Sequence, residues 1–171
     1  MTGKSTEMSL RIRPMIFSDL SPIIEIDQKI RATGTQVAYR ALSTSAYRIF
    51  GIDPDKTDPS KRPDILKTAR VVDNSFVAEC DGTVCGFIIG RQTYLAESDI
   101  QQGEIALIAV DPDYTGKGIA SHLVDALFKL FRSMNIHRVG ISANPEDKNM
   151  LSFLEHAGFT SNRLLSYTRK I

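Results

Sequence analysis

The segment Val110-Asp111-Pro112-Asp113-Tyr114-Thr115-Gly116-Lys117-Gly118-Ile119-Ala120-Ser121 places two glycines and a lysine where an apolar run stops and an amphipathic stretch begins. A helix start is an anion site in outline, because its first N–H groups lack intrahelical acceptors and the helix dipole adds positive charge. Gly116 and Gly118 would let phosphate oxygens come close to the backbone. Between Gly116 and Arg138 stand Lys117, Lys129, Arg132 and Arg138 against one acid, Asp125, a local excess that suits a polyanionic ligand. Read alone, the segment is equally a plain turn with a solvated lysine. It is not a Walker loop, which needs Ser or Thr directly after the lysine and a glycine six residues before it. A dinucleotide fingerprint fails as well, since its third glycine would be Ser121 and the turn contains Pro112.

Other reactive residue types carry less. Cys80 and Cys85 flank Asp81-Gly82, a two-residue hairpin loop that would pair Cys80 with Thr83 and Cys85 with Ala78, so the thiols are expected not to face each other. Without a further Cys or His at ligand spacing they give no metal site, and none is expected. His122 falls on the polar side of a long helix, and His156 near a helix C-terminus, where a cation suits the last carbonyls.

The elements that must position these residues follow from periodicity. Leu10 to Arg13 alternates as a short strand and stops at Pro14; Ser18 or Asp19 then caps a helix with Ile23, Ile26 and Ile30 on one face, ended by Gly34. Val37 to Phe50 reads as a second helix. Gly51 to Pro63 holds three prolines and no apolar period, so it reads as a long loop, and Ile65 to Val72 as a further helical turn. Ser75 to Glu79 and Thr83 to Thr93 form a hairpin around Asp81-Gly82. Gly103 to Val110 barely alternates, as a strand covered on both faces does. Gly116 to Met134 is strongly helical, Val139 to Ala143 a strand, Asp147 to Ala157 a helix ended by Gly158, and Phe159 to Ile171 one or two closing strands. This order gives an α/β sandwich with a mixed sheet.

Composition narrows the function classes. The chain has 171 residues, 42% of them hydrophobic and 24% charged, enough for one domain with a real core. Lys and Arg number 21 against 20 Asp and Glu, so no global charge recruits nucleic acid or an anionic membrane. The longest apolar run, Ile105 to Val110, is six residues, far below the roughly 20 that cross a bilayer. The polar start, MTGKSTEMSL, lacks the apolar stretch of a secretory signal; residues 1–9 are expected to be a tail, residues 10–171 a single domain, and the compartment the cytoplasm.

The chain resembles the GNAT superfamily of acyl-CoA-dependent N-acetyltransferases from Leu10 to Lys170. The family's pyrophosphate loop (Gln or Arg, two free positions, Gly, one free position, Gly or Ala) falls on Thr115, Gly116, Lys117, Gly118, Ile119 and Ala120, with Thr115 departing from it. The preceding Ile108-Ala109-Val110-Asp111-Pro112, the later Phe153-Leu154-Glu155-His156-Ala157-Gly158-Phe159 and the opening Leu10-Arg11-Ile12-Arg13-Pro14 stand where the family puts them. The resemblance implies a mixed, mostly antiparallel sheet of six to seven strands flanked by about four helices. It implies acetyl-CoA as cosubstrate, its pantetheine arm on backbone groups of Ile108, Ala109 and Val110, and its pyrophosphate on amides of Gly116, Lys117, Gly118, Ile119, Ala120 and Ser121. The fourth and fifth strands would splay apart to admit the arm. Asn149 is also assigned to the cofactor, although Asp147 is nearer the usual family position.

Aminolysis of a thioester must dispose of the proton of an ammonium, and a carboxylate can take it. Glu104 opens the strand whose far end would hold the cofactor, and its setting is similar to that of relatives using a glutamate there. Many relatives have a proton-donating tyrosine four residues before the Gly-Phe pair; here that position is Leu154, with Tyr167, Ser152 and His156 as loose substitutes. The acceptor side would be lined by residues 27–35 and 51–63, with Asp27, Glu25 or a loop aspartate holding a cationic amine. The expected partner is an amine-bearing peptide or small molecule: a protein N-terminus, a lysine or a small amine, with a homodimer open. A non-catalytic CoA-binding sensor is the alternative.

Overall fold

Alternation in Leu10-Arg11-Ile12-Arg13 becomes the edge strand β1 (Leu10–Pro14) in the computed structural model, which describes residues 8–32, 72–94, 100–143 and 145–161. A 3-10 turn, Phe17–Asp19, leads into α1 (Leu20–Ala32), with Pro22 in its first turn. The sheet continues with β2 (Ser75–Cys80), β3 (Thr83–Tyr94) and β4 (Gln101–Val110). After a second 3-10 turn, Pro112–Tyr114, come α2 (Ile119–Ser133), β5 (Val139–Ile141) and α3 (Lys148–His156).

The strands lie in the order β1-β2-β3-β4-β5, antiparallel throughout except for the parallel pair β4–β5. Among the described residues this makes five strands and three α-helices, fewer than the six to seven strands and about four helices expected. The stretch read as a second helix, Val37 to Phe50, lies outside the described residues. So do the segment at 65–71 and all of the expected closing strands except Phe159 to Ser161, which form no strand.

Each face of the sheet carries its own apolar cluster. Ile23 and Ile26 of α1 pack with Met15, Val77, Phe87, Ile89 and Leu107 on one face. Ile119, Leu123, Leu127 and Phe131 of α2, spaced four residues apart, pack with Ile88, Ile105 and Ile108 on the other. β4 is therefore covered on both sides, which explains its unbroken apolar run. Complete burial of a Leu, Ile or Phe contributes roughly 1.5–3 kcal/mol.

Glycines sit where α2 crosses the sheet closely. A Cβ on Gly103 would lie 2.5 Å from Phe131, and one on Gly90 2.6 Å from Leu127 and 2.7 Å from the Asn74 carbonyl oxygen. The residue before β1 is already tied to the hairpin. Ser9, inside the stretch read as a tail, donates its N–H to Asp81 Oδ1 and accepts from the Asp81 N–H, both at 3.0 Å.

The cysteines correct the expectation drawn from the hairpin. Cys80 does pair with Thr83, and Asp81 and Gly82 both take positive φ, as a two-residue loop requires. A bulge between Ala78 and Glu79 then pairs Ala78 with Gly86, leaving Cys85 out of register. The Cα atoms of Cys80 and Cys85 come to 5.9 Å and the sulfurs are bonded as a disulfide inside the α2-side core.

Candidate active site

β5 pairs with β4 only from Gly103 to Ile105. Beyond Ile105 the two strands part, and among the described residues no strand covers that edge of β4 from Ala106 to Val110. This is the splay expected between the fourth and fifth strands. A second irregularity sits at the same place. Ile89 pairs with Leu107 and Gly90 with Ile105, so Ala106 is an extra residue bulged out of the β3–β4 ladder. Nothing in the composition or period of the run marks it, because a strand covered on both faces already lacks alternation.

The parted edge opens into a cavity of about 820 Å³ whose wall is formed by Ile108, Ala109, Val110, Gly116, Gly118, Ile119, Ala120, Ser121 and Asn149. Nine of the ten cofactor residues drawn from sequence thus meet at one cavity. Lys117 does not line it: its ammonium lies over the Tyr114 ring, 4.9 Å from the centroid, and 3.8 Å from Met8 Sδ. Sequence reasoning missed Ile30, Pro112, Tyr114, Met150 and Phe153 as wall residues, and it passed over Asp147, which also caps α3 through a 2.9 Å bond from the Met150 N–H.

The start of α2 is built as a donor cradle. Gly116 and Gly118 have φ of 76° and 73°, in the left-handed region that favours glycine. A Cβ on Gly116 would meet nothing within 4 Å, so the ground before the backbone is open. Gly118 caps the helix without a side-chain bond, and the N–H groups of the following residues have no acceptor within the helix. The Gly118 carbonyl accepts from the His122 N–H at 3.3 Å and stands 2.9 Å from His122 Nδ1, which must donate because a carbonyl oxygen only accepts. Thr115, the departure from the loop pattern, turns its hydroxyl to the Pro112 carbonyl at 3.0 Å and closes the preceding turn. An open, donor-rich cradle continued by a strand edge fits a pyrophosphate followed by an extended amide-bearing arm.

Turn and helix are tied together behind the cavity. Lys29 of α1, next to the wall residue Ile30, donates to Asp111 Oδ2 at 2.7 Å and to Asp113 Oδ2 at 3.1 Å. These carboxylates, Asp111 first, push the lysine pKa up to about 12. Asp111 also accepts from the Asp113 N–H and so starts the 3-10 turn.

Glu104 is not in the cavity wall. It stands two residues before the bulge at Ala106, directly across from Arg91, with Nε 3.6 Å from Oε2. Leu154 is buried in the core and carries no proton to give. His156 Nδ1 is occupied at 2.7 Å by the Ser152 carbonyl, and Tyr167 lies outside the described residues. On α1, Asp27 is buried and Glu25 exposed; the loop Gly51 to Pro63 lies outside the described residues. Among the described residues no group of three or more His, Cys, Asp or Glu could hold a metal, and no helix is long and apolar enough to cross a membrane.

A mixed sheet whose fourth and fifth strands part beside a glycine-opened helix, with a cavity at the parting, defines the class of α/β protein. The chain belongs to the acetyltransferase (GNAT) family, whose model matches residues 39–159. A mycothiol acetyltransferase of Propionibacterium freudenreichii is 30% identical over 80 residues, 46% of this chain and 25% of the relative. The matched segment thus spans about a quarter of that relative's length. Many solved structures share the fold, among them these two. One is an aminoglycoside acetyltransferase from an uncultured soil metagenomic sample, in complex with trehalose (TM-score 0.61, 19% identity, 95% of each chain). The other is a predicted acetyltransferase from Clostridium acetobutylicum, with acetyl-CoA (TM-score 0.65, 15% identity, 94% of this chain and 96% of that one).

Proposed function

We propose that the protein transfers an acetyl group from acetyl-CoA to a primary amine. The observation that carries this reading is the continuity of one cavity from the bare edge of β4 to the glycine-opened start of α2. In it, backbone groups of Ile108, Ala109 and Val110 hold the pantetheine arm as a neighbouring strand would, and the amides from Gly116 to Ser121 hold the pyrophosphate. Asn149 borders the same ligand from α3. Acetyl-CoA supplies an activated acyl carbon: the bond to the amine nitrogen forms as the carbon–sulfur bond breaks, and one proton of the ammonium is surplus. Glu104 takes that proton, directly or through water, and returns it to solvent. Its place on β4, before the bulge and away from the glycine turn, supports that role. With Leu154 in the tyrosine position, the second proton lost by the nitrogen reaches the leaving thiolate through water.

The acceptor is a small amine, a lysine or a protein N-terminus. A non-catalytic CoA sensor is the second reading, favoured by the buried leucine at position 154. Incubation with acetyl-CoA and a panel of amines, following release of free thiol, separates the two. Transfer predicts turnover that falls by a factor of about 100 or more in Glu104→Gln while CoA affinity holds. Tight CoA binding with no turnover on any acceptor supports the sensor.

A further inference from the structure

We propose that the acceptor is an α-amino acid, or another amine with a carboxylate one carbon from its nitrogen, and that Arg91 selects it. This rests on the reading of Glu104 as proton acceptor and deepens it. Arg91 of β3 and Glu104 of β4 are direct cross-strand partners. Gly103, the residue before Glu104, points at Phe131 of α2. Side chains alternate along a strand, so Glu104 and Arg91 project on the opposite face, the one that α1 covers further along.

Their contact is loose. At 3.6 Å the guanidinium Nε is within ion-pair reach of Glu104 Oε2 but beyond the 2.7–2.9 Å of a charge-assisted hydrogen bond. The side chains remain 47% and 34% exposed. Among the described residues no other carboxylate pairs with Arg91, so the planar fork keeps donors that match a carboxylate in bidentate fashion. An acid and a base mounted on neighbouring strands, about 4.8 Å apart, form a receptor for a zwitterion. Its ammonium meets Glu104, the group that must take a proton, and its carboxylate meets Arg91. A neutral amide leaves the guanidinium to compete for Glu104, and a polyamine brings a second positive charge towards it.

The test compares the parent with Arg91→Gln and Arg91→Lys on matched probes: L-alanine against L-alaninamide, L-phenylalanine against its amide, and putrescine as a polycation. Thiol release gives kcat and KM, and calorimetric titration of the same probes into protein saturated with CoA gives affinity without turnover; melting curves establish that the variants fold. Comparing the acid-to-amide ratio of kcat/KM between variants cancels the intrinsic reactivity of each amine. The parent is expected to favour the acids over putrescine. In Arg91→Gln the acid-to-amide ratio should fall about tenfold, through KM rather than kcat, and Arg91→Lys should restore part of it. L-alanine affinity should fall in parallel. An unchanged ratio in Arg91→Gln, turnover of putrescine but of neither acid, or failure of both acids to bind the CoA-saturated protein overturns the proposal and leaves acetyl transfer standing. Failure to bind CoA, with no thiol released by any probe, overturns both.

Discussion

Lys29 Nζ lies 2.7 Å from Asp111 Oδ2 and fastens α1 to the turn that follows β4. The lysine side chain is 50% exposed while that of Asp111 is only 7% exposed, so the pair joins a solvated cation to a sheltered carboxylate. Surface pairs of this kind contribute little to stability in themselves. Their position matters more here, because Ile30 and Pro112 on the two tied segments both line the cavity.

Lys29→Met should therefore weaken CoA binding more than it lowers the melting temperature, and Lys29→Arg should recover most of the affinity. Calorimetry and melting curves on the two variants check this; a large loss of stability with unchanged CoA affinity would count against a role in shaping the cavity. The partner variant Asp111→Ala also loses the acceptor for the Asp113 N–H, a cap worth about 1 kcal/mol. The pH dependence of the lysine has a definite sign. Its raised pKa stabilises the fold fully below 10.5, and that contribution is lost as pH climbs through about 12.

Gly118→Val tests the cradle. A β-branched residue at φ 73° costs roughly 1–2 kcal/mol, and relief of that strain rotates the amides that face the cavity. CoA affinity should drop severely while the protein still folds, since an added Cβ meets only the His122 ring, at 3.9 Å. Lys117→Ala should change affinity far less, because that ammonium rests on Tyr114 outside the cavity wall. Titration with CoA and dephospho-CoA at two salt concentrations distinguishes backbone donors from screened charge. Parental affinity in Gly118→Val would mean that the loop is only a turn.

Gly103→Ala should destabilise by about 1–3 kcal/mol, because the new methyl must displace the Phe131 ring at 2.5 Å. Urea titration reads this directly. A neutral result would show that α2 can lift away from β4 without cost.

Arg13→Met should lower stability by about 2 kcal/mol at neutral pH. Arg13 grips Asp19 with two nitrogens, at 2.7 and 2.8 Å, and Glu79 with a third, at 2.8 Å. Burial alone would raise the Asp19 pKa, but the bonds from Arg13 and from the Ile16 N–H outweigh it and hold the carboxyl below its ordinary 3.8. The stabilisation is therefore complete above about pH 3.8 and lost as pH falls through the lower value of the folded state. Acid unfolding of the parent should show this loss, and Arg13→Met should lack it.

Much of the frame was legible because each element rests on a simple period. Ile119, Leu123, Leu127 and Phe131 announce α2, and Asp81-Gly82 announces the hairpin with Cys80 opposite Thr83. The cavity wall became legible only through the family resemblance, since Gly116 and Gly118 read alone are equally a plain turn. What escaped were departures from period. The bulge at Glu79 brings Cys85 to Cys80, and the bulge at Ala106 shifts β4 against β3; both arise from how two strands fit each other, which neither strand's pattern contains. The Lys29 tie to Asp111 spans 82 residues and left no local trace, as is usual for an ion pair fixed by tertiary packing.

The extra residue in β4 also works as a spacer. Ala106 and Leu107 share one apolar cluster, so the strand keeps Glu104 on the α1 side while gaining a residue of length between it and the cradle at Gly116. Deleting Ala106 would leave every side chain facing as before and draw Glu104 about 3.3 Å towards the cradle. Reach along β4 is thus set by residue count rather than by side-chain identity. The spacing between cradle and carboxylate is written into the backbone, where point substitutions leave it unchanged.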